Sequence, residues 1–295
     1  MLKLINQSGV KVLPIISLLL TLVCMSYSPT LLAQSGKGAG QQPPPPQEPT
    51  PPPTPQPQQS QEADARAEQI LQRAIEALGG GNFLKINTII GRGQYTPFKN
   101  GDSGIPTAFI DYVVYPDRER TEFRGGGVRT IQVNAGETGW IYDGAARSLK
   151  DMTREQVEDF RFNIRTNVEN LLRGSWRKEG ARLSYAGRRE AGIGRRNETV
   201  RLTYGDGMSV EFEFGAKDGL PAKVLYQRKN AEGQDVPEED RLAQYITLDG
   251  IVAPFVVDHF RAGVQTSRIN YESIEFNVPI AEALFTRPAN AKAVK

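Results

Sequence analysis

The chain holds one histidine and one cysteine, which limits its side-chain chemistry before any fold is considered. Cys24 lies inside an N-terminal apolar run, so the rest of the chain has no disulfide, thiol nucleophile or cysteine-bound metal. His259 falls in Val256-Val257-Asp258-His259-Phe260, where strand alternation puts it on the face of Val257 and opposite Asp258. A general base or metal ligand needs partners, and the local sequence signals none; the residue reads as a half-exposed strand position. A serine hydrolase would have to recruit the same histidine, and no Gly-x-Ser-x-Gly turn is present. The glycine clusters at Gly79–Gly81 and Gly125–Gly127 do not continue into a phosphate loop or a dinucleotide fingerprint, and read as turns. An acidic stretch with Glu232, Asp235, Glu238, Glu239 and Asp240 does not follow a calcium-loop order, so it reads as a solvated loop. Asn197-Glu198-Thr199 matches a glycosylation acceptor, which matters only in a eukaryotic secretory route. Arg188-Arg189 and Arg195-Arg196 bracket a glycine-containing turn and read as a charged loop tip.

Catalytic signals are therefore absent, and the aromatic residues carry the remaining interest. Tyr112, Trp140, Phe160, Phe212, Phe214 and Tyr226 fall on expected strands or on the second helix, with Val114 and Ile164 beside them. These eight residues are the candidate walls of a ligand cavity, set against plain core packing as the simpler role.

The elements that must position them alternate in period. Glu62–Leu78 repeats every three to four residues and ends at Gly79-Gly80-Gly81, which predicts a helix and its stop. Thr153 with Gln156 forms a capping box for a second helix over Arg154–Arg173, whose Val157, Phe160, Ile164, Val168 and Leu171 share a face. Elsewhere the period is two, with strands expected at Thr107–Tyr115, Val128–Val133, Gly139–Tyr142, Arg182–Arg188, Glu198–Tyr204, Met208–Phe214, Leu220–Lys229, Arg241–Leu248, Ile251–Arg261 and Gln265–Ile274. Gly205-Asp206-Gly207, Asp249-Gly250 and Ala262-Gly263 supply the hairpin turns. The fold class is α+β: a strongly curved antiparallel half-barrel of roughly nine to eleven strands, with two main helices over its concave face.

Before this domain the chain is of another kind. Lys3 and Lys11 lead to an apolar run from Val12 to Met25, and Leu31-Leu32-Ala33 offers a cleavage site, so residues 1–33 read as a signal peptide. Residues 34–61 are proline- and glutamine-rich and read as an extended spacer. Residues 62–290 form the folded domain and 291–295 a tail. Of 36 basic residues two precede Ala33, so the mature chain balances its 34 acidic residues with as many basic ones. That argues against bulk attraction to nucleic acid.

The order of elements adds a further expectation. An Ala-Leu-Gly-Gly helix end, a strand closing on Tyr115-Pro116, Val133-Asn134-Ala135-Gly136-Glu137-Thr138-Gly139-Trp140, and the closing Phe276-Asn277-Val278-Pro279 and Leu284-Phe285-Thr286-Arg287-Pro288 together resemble the LolA/LolB-like lipoprotein-carrier superfamily. The resemblance spans residues 62 to 290 and implies an open half-barrel whose helix-covered concavity receives acyl chains. Trp140 matches that family's tryptophan position. The arginine that helps hold the family's lid shut is replaced here by Tyr115. The resulting expectation is a non-enzymatic, cofactor-free monomer of the periplasm or outer membrane, binding a lipid or lipoprotein acyl chain. The alternative is an envelope interaction or scaffold protein whose half-barrel is filled by its own helices. A hydrolase stands third.

Overall fold

The protein is described by a computed structural model covering residues 57–294. The expected signal peptide and most of the proline-rich stretch lie outside the described residues. Among the described residues no helix is long and apolar enough to cross a membrane.

Helix α1 (Pro57–Ala77) starts earlier than its apolar period suggests, so the last residues of the proline-rich stretch open it. It ends where expected: Gly80 N–H bonds to Ile75 O at 2.8 Å, and Gly79 adopts φ 117, an angle that side chains resist. A Cβ on Gly79 would also lie 2.4 Å from Gly250 O, so this stop is packed directly on a hairpin turn. A short helix, α2 (Gly81–Leu84), follows and buries Phe83.

The remainder is dominated by one antiparallel sheet. In chain order it contains β1 (Thr88–Lys99), β2 (Asp102–Ser103), β3 (Thr107–Val114), β4 (Arg118–Gly125), β5 (Val128–Ala135), β6 (Thr138–Asp143) and β7 (Ser148–Asp151). After the helices α3 (Arg154–Thr166) and α4 (Val168–Arg173) come β8 (Arg182–Glu190), β9 (Arg196–Thr203), β10 (Ser209–Gly215), β11 (Pro221–Lys229), β12 (Asp235–Leu248), β13 (Ile251–Arg261) and β14 (Val264–Phe276). The order across the sheet is β7-β6-β5-β4-β3-β1-β14-β13-β12-β11-β10-β9-β8, with β2 paired to β1 alone. The sheet is curved and unclosed, and its 14 strands exceed the nine to eleven expected.

The additional strands have physical disguises. Central β1 carries Gly91, Gly93 and Pro97, which read as breakers, yet Gly93 is required because a Cβ there would lie 2.1 Å from Asn270 O. Strand β4 reads Arg-Glu-Arg-Thr-Glu-Phe, a sequence that looks solvated, but Glu119 through Phe123 are buried because both faces are covered. The acidic stretch is a loop only through Gln234; Asp235–Asp240 begins β12, and Glu238 is 2% exposed.

The second expected helix is also two. Thr153 forms the expected capping box with Gln156, but Asn167 interrupts at φ −86, ψ 140, and its side chain accepts from Asn170 N–H to start α4. Together with α2, this gives four α-helices among the described residues rather than two.

The main core joins α1, α4 and the strands β8–β11. Leu71 and Ala74 of α1 and Leu171 of α4 pack in one cluster with Val200, Phe212 and Phe214. Phe212 and Phe214 are 0% and 1% exposed, and each such burial stabilises by about 1.5–3 kcal/mol. On the opposite face of β3–β6 the C-terminal segment closes a second cluster, in which Phe285 meets Ile131, Val133 and Trp140. Trp140 Nε1 donates to Phe285 O at 3.0 Å, and Arg120 donates to Leu284 O at 2.7 Å.

Candidate functional site

Strand pairing fixes which side chains share the helix-bearing face. Gly91 lies opposite both Asp111 and Ile274, His259 lies opposite both Asp240 and Ser267, and Val257 lies opposite both Leu242 and Ile269. These positions form the floor of a hollow of about 130 Å³. Its roof comes from Phe83 of α2, Val168 and Glu169 of α4, and the Thr166-Asn167 junction. Glycine at 91 makes room on this floor: a Cβ there would meet Tyr271 Cε1 at 2.8 Å, so the Tyr271 ring lies over the strand. A second hollow of about 340 Å³ adjoins it, more polar, with Asp117, Arg118, Glu119 and Arg173 in its lining. Tyr115 and Asn167 line both, and so form the partition between them. The Arg173 guanidinium stacks 4.0 Å from the Tyr115 ring centroid.

The walls of the inner hollow are apolar, but its floor holds buried ionisable groups. Asp111 is 2% exposed and accepts from Thr121 Oγ1 at 2.8 Å; burial pushes its carboxyl up to about 7. Burial also raises Glu169 on the roof. Tyr271 is raised first by burial, then by the charges of Asp111, Glu119 and Glu169, and Tyr245 first by burial, then by Glu169; Asp111 and Glu169 line the inner hollow, and Glu119 the outer one. His259 Nδ1 lies 2.5 Å from Asp240 Oδ1; burial opposes its charged ring, yet Asp240 holds its pKa above the ordinary value. Beside it, burial pushes Glu238 up to about 7 although His259, Arg228 and Arg261 surround it. Arg228 continues this network to α3, donating to Asp159 at 2.8 Å and Asn163 at 2.5 Å.

These groups do not form a serine relay. Ser267, His259 and Asp240 share a face, but His259 Nε2 has no hydrogen-bond partner among the described residues and lies 3.8 Å from Glu238 Oε2. A serine relay needs a hydroxyl at about 2.6–3.2 Å from that nitrogen. Among the described residues no group of three or more acidic, histidine or cysteine side chains could hold a metal.

No protein-family model and no curated protein matches the sequence. Solved structures do match in shape. A LolA superfamily protein from Nitrosomonas europaea aligns with a TM-score of 0.52 at 11% identity, over 75% of this chain and 97% of that one. A DUF1329 family protein from Desulfovibrio piger aligns with a TM-score of 0.51 at 12% identity, over 75% of this chain and 97% of that one. The chain has a LolA-like fold.

Within this LolA-like sheet the eight aromatic and aliphatic residues singled out from sequence do not converge. Tyr112, Val114 and Trp140 pack with Phe285 under the C-terminal segment, on the face opposite Asp111. Phe212, Phe214 and Tyr226 lie on the helix-bearing face but inside the main core. Phe160 and Ile164 line the outer hollow. None of the eight lines the inner one. Sequence reading also missed the burial of His259, which is 4% exposed rather than half-exposed, and its pairing with Asp240. The signal for that pairing was present: the Asp249-Gly250 turn sets Leu248 opposite Ile251, and counting back along both strands sets Asp240 opposite His259.

Proposed function

We propose that this chain is an exported, non-catalytic envelope protein that holds a lipid acyl chain in the inner hollow. The observation that carries the reading is a partly open, mostly apolar space between an unclosed sheet and the α2 and α4 roof, with a more polar space beyond the Tyr115-Asn167 partition. Each methylene moved from water into such a space contributes about 0.8 kcal/mol, enough for a chain of several carbons to bind. Export is supported by the apolar run from Val12 to Met25 that follows Lys3 and Lys11 and by the cleavage site at Leu31-Leu32-Ala33, and a periplasmic or outer-membrane site follows from that reading. The Phe160 and Ile164 side chains would then contact whatever part of the lipid reaches the outer hollow.

One observation favours the second reading, an envelope interaction protein filled by its own helices. The inner hollow measures 130 Å³, below the roughly 300 Å³ at which ligand pockets usually begin. Native mass spectrometry of protein isolated without detergent, with titration of an uncharged fluorescent alkyl probe, separates the two. Acyl binding predicts retained lipid mass and saturable fluorescence that Ala253→Phe, which fills the hollow, abolishes while the thermal transition stays cooperative. Lipid-free protein that takes up no probe would establish the second reading instead.

A further inference from the structure

The inner hollow has a charge character that its apolar walls conceal. Three carboxyl side chains line it, Asp111 from β3, Asp240 from β12 and Glu169 from α4, and no lysine or arginine does. Asp240 is matched by His259 at 2.5 Å, and Glu169 feels the charge of Arg173 from the outer hollow. Asp111 differs from both. It is 2% exposed, forms no ion pair among the described residues, and has the Thr121 hydroxyl as its hydrogen-bond donor. Its neighbours on the same face are Gly91, which presents no side chain, and Glu119, a second buried acid across the adjoining strand pair.

Burial without a cation favours the protonated carboxyl at Asp111, and among the described residues no lysine or arginine lines the hollow to let it ionise, although three cations gather elsewhere on the sheet. Arg228, Arg261 and His259 all converge on Glu238 instead. The geometry points to the missing cation being brought by the occupant: we propose that the inner hollow binds amphiphiles that carry a primary amine or another cationic end, and disfavours free carboxylates. The aliphatic part lies along Ile89, Val257 and Ile269, and the cationic end is held between Asp111 and Glu169. This rests on the acyl-binding reading and specifies its ligand class.

Displacement of the uncharged alkyl probe from the full-length protein by three ligands of one tail length tests it: dodecylamine, dodecanol and dodecanoate, each below its micelle concentration at neutral pH. The amine displaces the probe at a concentration at least about tenfold lower than the carboxylate, a difference of about 1.4 kcal/mol, with the alcohol between them. Asp111→Asn keeps an acceptor for Thr121 and removes the charge, and should bring amine and carboxylate to within about threefold of each other. Glu169→Gln, placed on the opposite wall, narrows the ratio independently should the Asp111 variant fold poorly. Glu190→Gln, on the exposed edge strand, leaves it unchanged. If dodecanoate displaces as well as dodecylamine, or neither charge-removing variant moves the ratio, the inference is overturned while dodecanol binding upholds the acyl-binding reading. If none of the three binds, that reading fails and the ligand class falls with it.

Discussion

Proton binding separates Asp111 and Glu238 from the carboxylates on the outer surface. Both are raised to about 7 by burial, so the folded protein holds protons that the unfolded chain releases near its ordinary carboxylate pKa. Their contribution to stability is complete below about pH 4 and fades as the pH rises toward 7. His259 acts in the same direction, its raised pKa contributing below the unfolded value and lost on passing the folded one. Glu198 and Glu211 oppose them: despite partial burial, the former's bonds from Tyr185 and Arg188 and the latter's from Arg201 and Arg189 hold them low, so their contribution disappears as the pH falls. Urea midpoints measured from pH 4.5 to 7.5 should therefore decline with rising pH, and Asp111→Asn should flatten the decline. A midpoint that climbs across that interval would place Asp111 as an ordinary ionised carboxylate. Arg228 offers a second residue-scale prediction. Arg228→Ala removes one of the three cations around Glu238 together with the Arg228 bonds to Asp159 and Asn163 of α3, and should cost about 1–3 kcal/mol by urea denaturation. At this scale little of the site was legible. The expected strand began at Arg241, one residue after Asp240, so the partner of His259 was assigned to a loop.

Elements were legible where apolar residues recur at strand spacing between turn signals. The strands β3, β6, β10 and β13 were read nearly to their ends, and the Asp-Gly turns fixed the hairpins that hold β10 and β13. Strands β1 and β4 were not, because the first trades side chains for close backbone approach and the second buries paired charges such as Arg120 with Glu122 at 2.7 Å. Two glycines distinguish these demands. Gly93→Ala would drive a Cβ into the backbone of β14 and should destabilise by about 2–3 kcal/mol or prevent folding. Gly81→Ala meets nothing within 4 Å on α2 and should be neutral or stabilise by about 0.5–1 kcal/mol. Equal effects in thermal melts would mean that β1 does not pass that close to Asn270. The break between α3 and α4 rests on one cap, so Asn167→Ala should cost about 1 kcal/mol.

At the scale of the whole molecule the sequence pattern indicated the LolA-like architecture, and the Leu284-Phe285 segment within that pattern is the one that covers the second face. It did not indicate which aromatic residues face which layer, because helical cover on one side and C-terminal cover on the other make both faces of the sheet apolar. Phe285 is 5% exposed in this cover, and Phe285→Ala should cost about 3–5 kcal/mol and increase dye binding to the β3–β6 face. The sheet's centre has a consequence for biogenesis. Strand β1, the first strand of the sheet in chain order, lies beside β14, the last, in a register that runs from Ile89 with Phe276 to Pro97 with Ser267. Its middle seam cannot close on an emerging nascent chain until the residues through Phe276 have left the ribosome. Until then each half presents a long unpaired margin, the kind of surface that recruits other copies, and holdase chaperones should be needed to keep newly made chains apart.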